Sequence, residues 1–271
     1  LQQTQAAALF QKFGAVAAES TFPALVYGAF SGMALTVFNL VPSVTNMFGK
    51  SVLPCAAQSW AKGQKEAVQK QLQSVLFLTA LIALPAAGGL FCLSDSILML
   101  LYPGQETACR IAAESLRSLL PGMMFLCFTM PLFSILQGIG RADLPVKYML
   151  PCVAIKLLGN LLFLQIPACS LLGAGLSTSL CYALLFGMTL FSLCRMLGMS
   201  LRGLKPILPL CYAATMSITT AYLFRNLTRT MPLPVMLLCS VGSAVVMYGV
   251  VLLLLEKTAN RLREGLCFRM V

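Results

Sequence analysis

Val235–Leu255 reads VMLLCSVGSAVVMYGVVLLLL, an apolar run without a single charge. An α-helix needs about 20 such residues to cross the hydrocarbon core of a bilayer. Tyr148–Ile166 and Leu171–Leu193 come near or above the same length. Only helices and closed barrels satisfy their backbone in lipid. The runs are continuous rather than alternating, which selects helices over strands. The chain is therefore expected to be an all-α polytopic protein of the cell membrane, with the lipid bilayer as its first partner.

Composition agrees. Of 271 residues, 59% are hydrophobic and 10% charged, against about 25% charged in an ordinary soluble domain. The net charge of +11 would suggest nucleic acid in a soluble protein. Here Lys and Arg sit mostly between apolar runs, the pattern of membrane topology, and no basic patch is interleaved with stacking aromatics. Nucleic acid is excluded as a partner. The eleven cysteines are scattered singly, with no CxxC pair and no histidine, which excludes a zinc site. They read as small buried hydrophobes. No nucleophile–base pair, metal cluster or phosphate loop is present, so neither an enzyme nor a cofactor is expected. The opening Leu1-Gln2-Gln3 has no Met and no basic n-region. It is not a signal peptide, and it reads as a chain entered partway through a longer protein.

Outward from the apolar runs, seven spans are expected, at about 24–60, 72–93, 116–137, 145–166, 171–194, 204–224 and 232–255. Residues 1–20, with Leu9, Phe10, Phe13 and Val16 at helical spacing, read as an amphipathic linker helix on a membrane surface. The first span is long enough to require a kink, tilt or protrusion, and Pro42 and Pro54 punctuate it. Ser94–Leu119 reads differently: Ile97–Tyr102 is too short to cross, Pro103-Gly104 signals a turn, and Gln105–Arg117 reads as a surface helix. Gly28, Gly32, Gly138, Gly140, Gly173 and Gly175 read as packing or turn residues. Residues 257–271 form a basic tail.

The loops on one side hold twelve Lys and Arg: Lys62, Lys65, Lys70, Arg141, Lys147, Arg195, Arg202, Lys205, Lys257, Arg261, Arg263 and Arg269. The other side holds five: Lys12, Arg110, Arg117, Arg225 and Arg229. The positive-inside rule puts the twelve in the cytoplasm. The N-terminus of the chain is then outside and the C-terminus inside, which requires an odd number of spans.

Two lysines remain, both within spans. Lys50 ends a polar series, Thr36, Asn39, Ser43, Asn46 and Lys50, spaced three, four, three and four. That spacing places all five on one helical face. In lipid such a face must meet another helix or a watery cavity. Interhelical hydrogen bonding, at about 0.6–2 kcal/mol per contact, is the plainer reading; a cavity wall is the functional one. Lys156 lies mid-run with Asn160 one turn later on the same face. A cation near the bilayer centre costs about 2.5–3.5 kcal/mol. Lys156 either serves a cavity or snorkels roughly 13 Å to the cytoplasmic interface. Cations in a cavity would bind anions, a pyrophosphate being the natural candidate. The carboxylates Asp95, Glu106, Glu114, Asp143, Glu256 and Glu264 are all read as lying in or near loops, which weighs against a proton- or sodium-coupled cation antiporter.

Several short motifs recur in one order. They are Tyr27-Gly28, Ser31–Leu35 (SGMAL), Phe38–Leu40 (FNL), Pro42–Thr45, Val52–Pro54, Leu84–Leu90 (LPAAGGL), Ile97–Pro103 (ILMLLYP), Leu136–Arg141 (LQGIGR), Leu144–Val146, Lys156–Asn160, Leu172–Gly175 and Cys181-Tyr182. In series, over about Tyr27 to Leu193, they resemble the second lobe of the stage V sporulation protein B family. That family belongs to the superfamily of multidrug, oligosaccharidyl-lipid and polysaccharide transporters, with MurJ-type flippases and MATE exporters as relatives. Two positions depart from its pattern: Lys50, where a small polar residue is expected, and Gln58, where members often carry glutamate.

The resemblance implies two six-helix lobes around a central cavity. Residues 21–198 would be an incomplete second lobe and 199–256 a trailing helix pair. It implies outward movement of undecaprenyl-linked precursors for cell wall, spore cortex or surface polysaccharide, with a lipid-linked sugar and the missing N-terminal lobe as partners. Thr36, Asn39, Ser43, Asn46 and Lys50 would line the cavity, and Lys156 and Asn160 would contact pyrophosphate or hold the lobe together. A MATE-like cation exporter and a non-transporting membrane scaffold are the alternatives.

Overall fold

A computed structural model describes residues 22–164, 170–199, 208–228 and 232–268. The described residues are almost wholly helical and contain no strand. In chain order they form α1 (Phe22–Gly28), a π-helical segment (Ala29–Ala34), α2 (Leu35–Ala61), α3 (Lys65–Leu101), α4 (Glu106–Gly138), α5 (Asp143–Leu164), α6 (Ser170–Leu197), α7 (Leu208–Leu227) and α8 (Leu233–Phe268). Six helices are long and apolar enough to cross a membrane, with α1, the π segment and α2 counted as one. The chain is a multi-pass membrane protein. Helix α7, which covers most of the expected sixth span, is not among those six. The amphipathic linker expected over 1–20 lies outside the described residues, and helix α8 continues through most of the stretch read as a basic tail.

Helix α4 is the centre. In its most apolar window 72% of residues are buried, against 11–33% in the other five candidate spans. Helices α2, α3 and α6 pack directly on it, and α5 joins mainly through α6. Small residues set these distances. A Cβ on Gly49 would stand 2.9 Å from the Pro131 Cα, and one on Gly138 would stand 2.8 Å from the Leu53 carbonyl oxygen, so α2 and α4 touch backbone to backbone. On the other side, a Cβ on Gly122 would meet the Ser179 Cα at 2.9 Å. The Gly122 amide donates to Ser179 Oγ at 3.0 Å, and that hydroxyl lies 3.2 Å from the Ser118 carbonyl oxygen. Close backbone approach between small residues is how membrane helices gain packing energy without a hydrophobic driving force.

Helices α7 and α8 pack on α3 and on each other. Ile218 of α7 fills the space where Gly88 of α3 has no side chain. Tyr248 of α8 donates to the Leu81 carbonyl at 3.1 Å, and Ser217 of α7 donates to the Ala244 carbonyl at 2.8 Å.

Three readings change. Ser94–Leu119 is not a break followed by a surface helix: α3 runs unbroken to Leu101, and α4 is already helical from Glu106. The polar residues that suggested a loop are accommodated inside the bundle, with Ser94 and Ser96 buried and Asp95 paired with arginines. Asp95 and Glu114 thus lie within helices rather than in loops. In the first span, α2 runs through both Pro42 and Pro54, and the irregularity falls earlier, in the π segment. Gly28 and Gly32 meet nothing within 4 Å, whereas Gly138 packs closely. Gly140 is a turn residue: with Gly63 it takes the positive φ (80° and 72°) needed to leave a helix tightly.

Candidate functional site

Helix α2 has a buried and an exposed side, and on the exposed side Leu40, Val44 and Met47 are interleaved with the polar residues. Val37, Phe38, Pro42, Thr45, Gly49 and Ala56 are buried against the lobe. Thr36, Asn39, Ser43 and Lys50 are exposed and Asn46 is half-buried. The polar face therefore points away from this lobe's own core. Its hydroxyls bond within their own helix: Thr36 to the Gly32 carbonyl at 2.6 Å and Ser43 to the Asn39 carbonyl at 2.7 Å. No side-chain hydrogen bond or ion pair engages Asn39, Asn46 or Lys50 among the described residues. Among the described residues, then, the face does not serve as glue between helices.

Lys156 and Asn160 lie on α5, separate from the stripe. Asn160 is half-buried and accepts a hydrogen bond from the Ser177 hydroxyl of α6. Lys156, also half-buried, lies within electrostatic reach of the Cys181 thiol and forms no ion pair among the described residues. Helix α6 links the two groups. Tyr182, next to Cys181, stacks on Phe38 of α2 with ring centroids 6.3 Å apart and an interplanar angle of 25°. Phe38 precedes Asn39 in the chain, and the stripe and Lys156 are not in direct contact.

A charged cluster at the far end of α3 escaped the sequence reading. Asp95 pairs with Arg117 of α4 and lies 3.8 Å from Arg225 of α7. Arg225 also donates to the Cys92 carbonyl at 2.5 Å, and Arg117 to the Phe91 carbonyl at 3.4 Å. Three helices meet there. A signal was present in the sequence: Arg117 and Arg225 fall on the same side of the membrane by loop counting, and Asp95 has opposite sign. Cys55, Cys92, Cys109, Cys127, Cys152, Cys181, Cys194 and Cys239 are free thiols, and Cys109, Cys127, Cys152 and Cys181 are buried. No group of metal-ligating residues occurs among the described residues.

The model of the MatE family matches residues 25–162, more than half of the chain, and that stretch holds the stripe, Lys156 and Asn160. The chain belongs to the MatE family. The uncharacterized membrane protein MJ1068 of Methanocaldococcus jannaschii is 26% identical over 157 residues, which cover 58% of this chain and 30% of that protein. Among solved structures, the lipid II flippase MurJ in an inward closed conformation superposes with a TM-score of 0.64 at 16% identity, over 87% of this chain and 47% of the MurJ chain. This chain thus spans about half the length of that structure and under a third of the archaeal protein. The MurJ likeness establishes the fold.

Proposed function

We propose that this MatE-family chain is part of a membrane flippase, a second lobe with its trailing helix pair, that moves undecaprenyl-pyrophosphate-linked oligosaccharide or peptidoglycan precursors by alternating access. The observation that carries the reading is the exposed, unpartnered polar face of α2 in a membrane helix. Lipid cannot satisfy Asn39, Asn46 and Lys50, so a water-filled cavity closed by another lobe is the environment they require. Lys50 on the stripe and Lys156 on α5 each carry positive charge without a carboxylate partner among the described residues, which suits a pyrophosphate. The MurJ-like fold and the stage V sporulation protein B motifs point the same way. With α7 counted as a seventh span, the Lys and Arg distribution favours an N-terminus of this chain outside and a C-terminus in the cytoplasm.

Membership of the MatE family supports a second reading, MATE-like export of small cations. Asp95 is the carboxylate such a mechanism would look for, but two arginines already hold it, and a neutralised carboxylate is a poor cation site. The two readings separate in proteoliposomes containing the full-length protein. A flippase translocates fluorescent undecaprenyl-pyrophosphate-linked sugar without an imposed ion gradient on the lumenal side, and loses that activity with Lys156→Ala while membrane insertion is retained. An exporter moves cationic dyes in response to a proton or sodium gradient and leaves the lipid-linked sugar where it is. Unchanged sugar translocation in Lys156→Ala would remove Lys156 from the site.

A further inference from the structure

Among the described residues one stretch leaves the α-helical pattern: Ala29–Ala34, which is π-helical. Bonds that run i→i+5 enclose one residue more than α-helical bonds, and such segments are rare and gather at functional sites. This one sits just ahead of Thr36, the first residue of the polar stripe. Its inner side, Ala29, Met33 and Ala34, is buried. At Gly28 and Gly32 an added Cβ would meet nothing within 4 Å, so crowding at those glycines does not force the extra residue. The Gly32 carbonyl, however, accepts two side-chain hydrogen bonds. Thr36 Oγ1 donates at 2.6 Å from within the helix, and Tyr102 Oη donates at 3.3 Å from the corner between α3 and α4. Only the second comes from outside this helix, beside the apolar packing of Ala29, Met33 and Ala34 against α4.

We propose that Tyr102 is a positioning residue: through the Gly32 carbonyl it holds the π register of Ala29–Ala34 and so sets the rotation of α1 relative to the polar stripe. Without that bond the segment relaxes to α-helix. Each α-helical residue turns about 100° and rises about 1.5 Å, so α1 then rotates about 100° and moves outward about 1.5 Å. Every α1 residue takes the place now held by the residue before it. Tyr27, 72% exposed, enters the half-buried place of Val26. Leu25, now packed against the core, enters the exposed place of Ala24. The stripe on α2 stays where it is, and the face leading into it changes.

The test is alkylation by a membrane-impermeant maleimide of the full-length protein in membranes, carrying Leu25→Cys or Tyr27→Cys. Peptide-resolved mass spectrometry keeps the native thiols out of the readout. Loss of one ordinary hydrogen bond shifts such an equilibrium about fivefold, so Tyr102→Phe is expected to raise the ratio of labelling at position 25 to labelling at position 27 by about that factor. Deleting Ser31 removes the extra residue while leaving both flanks in place. It is expected to keep the low ratio and to cancel the effect of Tyr102→Phe in the combined variant. An unchanged ratio in folded Tyr102→Phe protein overturns the proposal, as does a raised ratio that persists without Ser31. If Tyr102→Phe does not fold, Tyr102→Leu takes its place and is read the same way: a raised ratio supports the proposal and an unchanged one overturns it. No substrate enters the measurement, so its result is independent of the transport reading.

Discussion

The Ser177 hydroxyl of α6 donates a hydrogen bond to the Asn160 side chain of α5. One turn earlier on α5, Lys156 has no such tie. The two residues sit on adjacent turns of one helix, but their positions imply different work. Asn160 helps to hold α5, whose outward face (Leu157, Leu158, Leu161 and Leu162) is exposed, against α6. Lys156 is left with its charge uncompensated.

Asn160→Ala is therefore expected to lower stability by about 1 kcal/mol, the net worth of a hydrogen bond, and Lys156→Ala to change stability little. Thermal unfolding in a fixed detergent reads both. A Lys156→Ala variant that melts well below the parent would mean that the lysine is structural.

Gly49→Val should be among the more damaging single changes. The new side chain would have to displace the Pro131 backbone, 2.9 Å from the ideal Cβ, and overpacking of this kind costs about 1–3 kcal/mol. Gly32→Ala meets open space and is expected to be neutral or slightly stabilising, since Ala is favoured over Gly in helices by about 1 kcal/mol. Equal melting temperatures for the two variants would contradict the close α2–α4 approach.

Removing Arg225 leaves Asp95 with Arg117 and takes away the polar tie between α7 and α3, while the Ile218–Gly88 packing remains. The lost charge-assisted bond to the Cys92 carbonyl is worth roughly 1.5–3 kcal/mol. Hydrogen exchange in Leu208–Leu227 should quicken in Arg225→Ala while exchange in Glu106–Gly138 stays at the parental rate. Quickening in both would show that the trailing pair supports the whole lobe.

Replacing Asn39 and Asn46 together by Leu should leave the melting temperature of this lobe nearly unchanged, because neither side chain bonds within it and exposed substitutions stay within about 0.5 kcal/mol. Transport by the full-length protein should fall sharply. Full transport with both asparagines gone would exclude the cavity-wall role.

Much of this was legible in the chain. Runs such as Val235–Leu255 announce helices because lipid leaves the backbone no alternative, and the three-four spacing of Thr36 through Lys50 marks one face whatever surrounds it. The stretch around Asp95 was misread for a physical reason. A charge looks like the end of a membrane helix until its partner is known, and Arg117 and Arg225 come from helices distant in sequence. The π segment left no trace in periodicity, because one extra residue over six positions is too short to shift a hydrophobic pattern. The Ser177–Asn160 bond is likewise a matter of which helices adjoin, which spacing within one helix does not encode.

The glycine and serine contacts that line α4 leave the bundle almost without slack. At Gly49, Gly122 and Gly138 the neighbouring backbones come so close that a Cβ would collide, so α2 and α6 have little room to slide along α4. A structure built this way transmits a push instead of absorbing it. A push on the polar face of α2 therefore passes through α4 to α6. Helix α1, ahead of the π segment, meets the bundle through Leu25 and Val26 and can turn only by giving up that packing.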